Sequence, residues 1–103
     1  MIAYVFPTNQ EVPVKDISRD EPFSLSELQE LVGGYIQVIG LKSLNFSYRD
    51  IHIDHKNLIM ILNEEGKIRG LQPNMAGTVI MRANGFDDFA VGDVIVCDSR
   101  LLR

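Results

Sequence analysis

Leu58-Ile59-Met60-Ile61-Leu62 is an uninterrupted run of five apolar side chains that passes at once into Asn63-Glu64-Glu65-Gly66. A strand that is apolar on both sides of its pleat needs cover on both faces, so the run is expected to be the central strand of a sheet. Asn63 to Gly66 has tight-turn chemistry, with Gly66 expected to supply a positive φ, and residues 70–74 read as a second reversal. The stretch 62–74 is thus expected to be a hairpin that hands over to a helix capped by Asn74.

Upstream, Ser24-Leu25-Ser26-Glu27 has the pattern of a capping box, in which the serine oxygen and the glutamate carboxylate each satisfy a backbone N–H of the first turn. Leu25, Leu28, Leu31 and Val32 follow at helical spacing as a core-facing stripe, and Gly33 is placed to end the helix in the left-handed conformation. Tyr35-Ile36-Gln37-Val38-Ile39 then reads as a strand in which Gln37 points away from Ile36 and Val38. Ile2 to Phe6 reads as a first strand, and Val12, Val14 and Ile17 mark a second that pairs with it as an antiparallel hairpin. Residues 45–55 alternate, with Phe46, Tyr48, Asp50, His52 and Asp54 on one side, and are expected to form an insertion or an extra hairpin strand. Met75 to Arg82 has the β-branched residues of a strand, but Asn74 as N-cap favours a short helix, stopped by Asn84-Gly85, and Val94 to Cys97 reads as a closing strand.

The helix running into Gly33-Gly34-Tyr35, the Asn63-Glu64-Glu65-Gly66 turn and Gly70-Leu71-Gln72-Pro73-Asn74 together resemble a family of small proteins carried by phages, plasmids and other mobile elements, catalogued as a domain of unknown function. Its pattern is helix-GGY-strand, an N-E-E-G-like turn and G-L-P-P-N, and Gln72 stands where the first of the two prolines usually sits. The likeness covers residues 25–74 and, more loosely, the strand within residues 91–97. Residues 45–55 depart from it.

A chain of 103 residues is one domain's length, and 46% hydrophobic with 23% charged residues is enough apolar content for a folded core. The expected fold is a single α+β domain spanning residues 1–103, with a mixed, mainly antiparallel sheet and two short helices packed on one face. The formal charge of −4 disfavours duplex nucleic acid as a partner. Arg49, Lys56, Lys67, Arg69 and Arg82 read as basic residues scattered over a solvated surface. The single cysteine, Cys97, excludes an intramolecular disulfide and reads as a small buried thiol in a strand. Met1 to Phe6 has no basic leader, and the longest apolar runs are too short for a membrane span, so a cytoplasmic protein is expected.

Asp50, His52 and Asp54 form the one cluster with metal-ligand chemistry, but the outer pair stand about 13 Å apart on an extended strand and cannot close on one ion unless the strand bends. The sequence carries no nucleophile elbow, Walker loop or dinucleotide fingerprint, so no enzyme and no cofactor are expected. Tyr35, Asn63, Lys67, Arg69 and Asn74 are the candidate ligand-binding residues, being polar or aromatic side chains on turns at sheet ends, with Lys67 and Arg69 expected on one face of a short strand. The resemblance implies a mobile-element setting. The first expectation is accordingly a non-enzymatic protein that sequesters a nucleotide-derived host defence signal, as a homo-oligomer because a small domain makes a deep site most readily between subunits. The alternative is a module that inhibits a host defence or restriction protein, with Asp16, Asp20, Glu21, Glu27 and Glu30 as an acidic decoy surface.

Overall fold

The β-rich, alternating segments at both ends of the chain converge on one sheet. In the computed structural model, which describes residues 1–41, 44–48, 51–55 and 57–102, β1 (Ile2–Phe6) pairs with β2 (Lys15–Ser18) as the expected hairpin. Then follow α1 (Leu25–Val32), β3 (Ile36–Gly40), β4 (Leu44–Tyr48), β5 (Ile51–His55), β6 (Leu58–Asn63), β7 (Pro73–Asn74), α2 (Met75–Ala83), β8 (Ala90–Val91) and β9 (Val94–Asp98). The main sheet has the order β2-β1-β9-β6-β3, and each of its pairings is antiparallel. The α+β expectation holds. β6 lies inside the sheet, and every one of its residues is buried.

The helices do not share a face. Ile59 and Ile61 of β6 pack with Ala3, Val5, Ile95 and Cys97 against Leu28 and Val32 of α1. Leu58, Met60 and Leu62, pointing the other way, pack with Phe6, Val94 and Val96 against Ala76, Ile80 and Met81 of α2. A strand apolar on both sides of its pleat needs two covers, and the molecule supplies one helix to each. α1 keeps its capping box and ends at Gly33 with φ 81, as expected. Leu25 falls off the stripe and is 58% exposed.

Residues 45–55 are neither one long strand nor part of the main sheet. β4 and β5 form a separate hairpin whose register pairs Ser47 with His52 and Tyr48 with Ile51. Residues directly opposite in this register share a side, so Tyr48, Ile51 and Ile53 are turned to the core while His52 and Asp54 are exposed. Tyr48 meets the Phe6 ring edge-on at 5.8 Å, which docks the hairpin on the α2 side of the sheet. Asp50, with Arg49 and Lys56, lies outside the described residues.

The tight turn expected after β6 is made, with the Gly66 N–H on the Asn63 carbonyl at 3.2 Å, but the hairpin is not. β6 pairs with β3 and β9, and the chain leaves it through a helical turn instead of a hairpin. The N–H of Leu71 bonds to the Gly66 carbonyl at 2.9 Å and that of Gly70 to the Lys67 carbonyl at 3.1 Å, and the positive φ, 67°, belongs to Gly70. Gly66 is required for space: a Cβ there would stand 2.7 Å from Cγ2 of Val91. Gly66→Ala is therefore expected to cost about 1–3 kcal/mol in urea unfolding by overpacking. Val91→Ala in the same chain should recover part of that loss, whereas additive losses would show that Val91 is not what the new methyl meets.

Candidate functional site

The candidate residues fall into two groups. Asn63 and Asn74 are buried joints of the backbone. Asn63, 4% exposed, donates from Nδ2 to the Val32 carbonyl at 3.2 Å and accepts from the Glu65 N–H at 2.8 Å, tying the end of β6 to the end of α1. Asn74 caps α2 as expected, and its Nδ2 donates to the carbonyls of Phe6 and Gly92 at 2.8 and 2.9 Å.

Tyr35, Lys67 and Arg69 are exposed. Tyr35 is 62% exposed and its carbonyl accepts from the N–H of Glu64, which places it beside the turn after β6. Lys67 and Arg69 are not on a strand, and the helical turn sends them to different partners. Arg69 reaches back to Glu65 at 3.3 Å, one helical turn earlier. Lys67 pairs with Asp88 and holds its ammonium 4.4 Å from the centre of the Phe89 ring. The hydrogen bond from Lys67, followed by that from the Phe89 N–H, keeps the Asp88 carboxyl below its ordinary range.

Lys67 and Asp88 line a cleft of about 220 Å³ between β3, the turn after β6 and the loop before β8. Its other walls include Gln37, Ile39, Asn63, Glu64, Ile68 and Phe89. With Glu64 and Asp88 against Lys67 alone, the cleft carries a net negative charge. Phe89 is shared with a second, broader groove of about 490 Å³ lined by Gln10, Pro73, Met75, Thr78 and Val79. Met75 and Val79 sit one turn apart on the outer side of α2 and are 58% and 48% exposed, and Phe89 is 45% exposed. An acidic cleft and an apolar groove thus meet at one aromatic ring. Asp87-Asp88 reads in sequence as a solvated loop pair, and nothing local links Asp88 or Phe89 to Lys67, 21 residues from Asp88; the pair of phenylalanines bracketing the two aspartates is the available signal.

A third cleft, of about 260 Å³, lies between the β4–β5 hairpin and the main sheet, among Tyr4, His52, Asp54, His55 and Asp98. Asp98 is 3% exposed and accepts from Nε2 of His55 at 2.6 Å and from the Arg100 guanidinium at 2.9 and 3.0 Å. The Arg100 hydrogen bonds hold its carboxyl far below the ordinary carboxylate range. Among the described residues no group of three His, Cys, Asp or Glu side chains is placed to hold a metal ion. Cys97, buried in β9, has its thiol pushed up to about 12 by burial and, secondarily, by the Asp98 charge.

The acidic residues expected to form a decoy are divided by the sheet. Asp16 pairs in register with Tyr4, whose side chain belongs to the α2 side, whereas Glu27 and Glu30 stand on α1 on the opposite side. Glu27 is further engaged by Arg19 at 2.7 Å.

No helix of the described residues is long and apolar enough to cross a membrane. No curated protein and no solved structure matches the chain. Residues 1–100, which take in β1 to β9 and both α1 and α2, match the domain of unknown function DUF3846, and the chain belongs to that family.

Proposed function

We propose that this chain is a non-enzymatic protein-interaction module that seats a partner protein on the surface around Phe89. The observation that carries the reading is the meeting of the Met75–Val79–Phe89 groove with the acidic cleft at a single exposed ring. An exposed apolar stripe beside polar side chains is the anatomy of a docking site, and an aromatic residue at its centre is the usual energetic anchor. The net negative charge of the cleft selects a partner that presents a lysine or arginine next to an apolar side chain. The mobile-element setting implied by the resemblance makes a host restriction or defence protein the partner to test.

Sequestration of a nucleotide-derived signal draws less support. Its two phosphate-binding cations, Lys67 and Arg69, are engaged by Asp88 and Glu65, and Glu64 and Asp88 would repel a phosphate entering the cleft.

Phe89→Ala and Val79→Glu are expected to leave melting within about 1 kcal/mol of wild type, as surface changes do. Each should weaken a partner captured stoichiometrically by wild-type protein from host lysate by about 30-fold, the equivalent of about 2 kcal/mol. Equal capture by both variants would remove this surface from the interaction. A wild-type protein that captures no stoichiometric partner but is stabilised by a cyclic oligonucleotide would return the reading to nucleotide binding.

A further inference from the structure

The main sheet ends in two edge strands that differ in chemistry. β2 reads Lys15-Asp16-Ile17-Ser18, is four residues long and follows Pro13; short length, charge and a nearby proline are the usual guards of an edge. β3 reads Ile36-Gln37-Val38-Ile39-Gly40, with no charged residue and no proline. Among the described residues it pairs on one side alone, with β6. The bonds of Tyr35 and Leu41 to the flanks of β6 show that odd-numbered residues turn their backbone polar groups inward. Ile36, Val38 and Gly40 therefore direct three N–H donors and three carbonyl acceptors outward. Val38 is also 40% exposed, an apolar side chain at the middle of that edge.

We propose that β3 pairs antiparallel with β3 of a second copy of this chain, centred on Val38, to make one continuous sheet across a two-fold axis. In this register Val38 faces its own counterpart, Ile36 faces Gly40 of the other copy, and Gln37 faces Ile39. Every outward donor then meets an acceptor, since the H-bonded pairs of an antiparallel ladder are those of the outward-facing residues. Two features of the segment support a second copy as the occupant: it is uncharged throughout, so it opposes no like charges when laid against itself, and the register brings the two exposed Val38 side chains face to face.

The two-fold axis of an antiparallel strand pair runs perpendicular to the sheet, so both copies present the same face. Gln37 and Ile39, the side chains of β3 that line the cleft beside Lys67 and Phe89, then form the wall between two such clefts lying side by side. The pairing stands independently of what occupies those clefts.

Sedimentation of the wild-type chain across a concentration series is the test. The expected mass is twice the chain's 11.6 kDa. Val38→Lys and Val38→Pro should return it to that of one chain while keeping the circular dichroism of the fold, because the Val38 N–H faces away from β6. A wild-type mass of one chain at every concentration would overturn the pairing, as would an undiminished dimer in both variants. Amide exchange on the wild-type protein supplies a reading that needs no variant. The N–H groups of Ile36, Val38 and Gly40 should gain protection with concentration, while those of Gln37 and Ile39 stay protected throughout. Fast exchange of the first three at all concentrations, or their protection only on adding a different protein, would equally overturn it.

Discussion

Asn74→Ala is expected to destabilise the domain by about 3–5 kcal/mol, a large share of the ~5–15 kcal/mol that holds a domain of this size. Asn74 is fully buried where β1, the Gly92 turn and α2 meet. Its Oδ1 accepts from the Gly77 N–H at 2.9 Å, and loss of such a cap costs about 1 kcal/mol. Its Nδ2 serves the Phe6 and Gly92 carbonyls, and withdrawing a donor from buried acceptors costs about 1–3 kcal/mol each. Asn74→Ser separates the two roles, because a hydroxyl can cap the helix but is too short to reach both carbonyls. Urea unfolding should show the serine variant recovering only about 1 kcal/mol of the alanine variant's loss, with m unchanged. A loss near 1 kcal/mol for alanine would mean that only the cap matters.

The same asparagine shows where the sequence was legible and where it was not. Asn74 as an N-cap, the Ser24 capping box, the Gly33 stop and the buried β6 all depend on residues within a few positions of one another, so local pattern sufficed. Direction did not follow from pattern. A polar side chain on a turn has the same composition whether it serves a ligand or a backbone carbonyl, and Asn63 and Asn74 serve carbonyls. The separation of the helices onto two faces depends on how the chain crosses the sheet after Gly66, which no spacing within either helix encodes. Phase failed within residues 45–55 for a third reason: Tyr48 pairs with Ile51, so an even-numbered residue of β4 and the odd-numbered residues of β5 share one side, and a single alternation cannot describe both strands. The site was half legible. Lys67 was marked, but the ring and the carboxylate that define its surroundings come from a distant loop.

Asp98 is expected to make stability fall in acid and to tie the hairpin to the sheet. Its carboxylate sits at the end of β9 and reaches His55 on β5, which belongs to a different sheet, as well as the backbone N–H of Arg100 at 2.8 Å. The folded carboxyl titrates below its ordinary value of 3.8, chiefly because Arg100 bonds to the charged form. A depressed folded pKa means the unfolded chain takes up the proton first, so the contribution is complete above about pH 4 and is lost as pH falls below it. Glu27, drawn from 4.5 to about 2 by Arg19, and Asp88, drawn down by Lys67, act in the same direction. Urea unfolding between pH 7 and pH 2 should therefore show stability declining from about pH 4.5 downward. Asp98→Asn should lose about 2 kcal/mol at pH 7, the worth of hydrogen bonds to a charged group, and should flatten that decline. It should also raise amide exchange within β4 and β5 more than within β6, since the hairpin loses its polar tether while keeping the Phe6–Tyr48 contact. An acid slope identical to wild type would assign the titration to Glu27 and Asp88. Unchanged exchange in the hairpin would show that the His55–Asp98 bond does not hold it to the sheet.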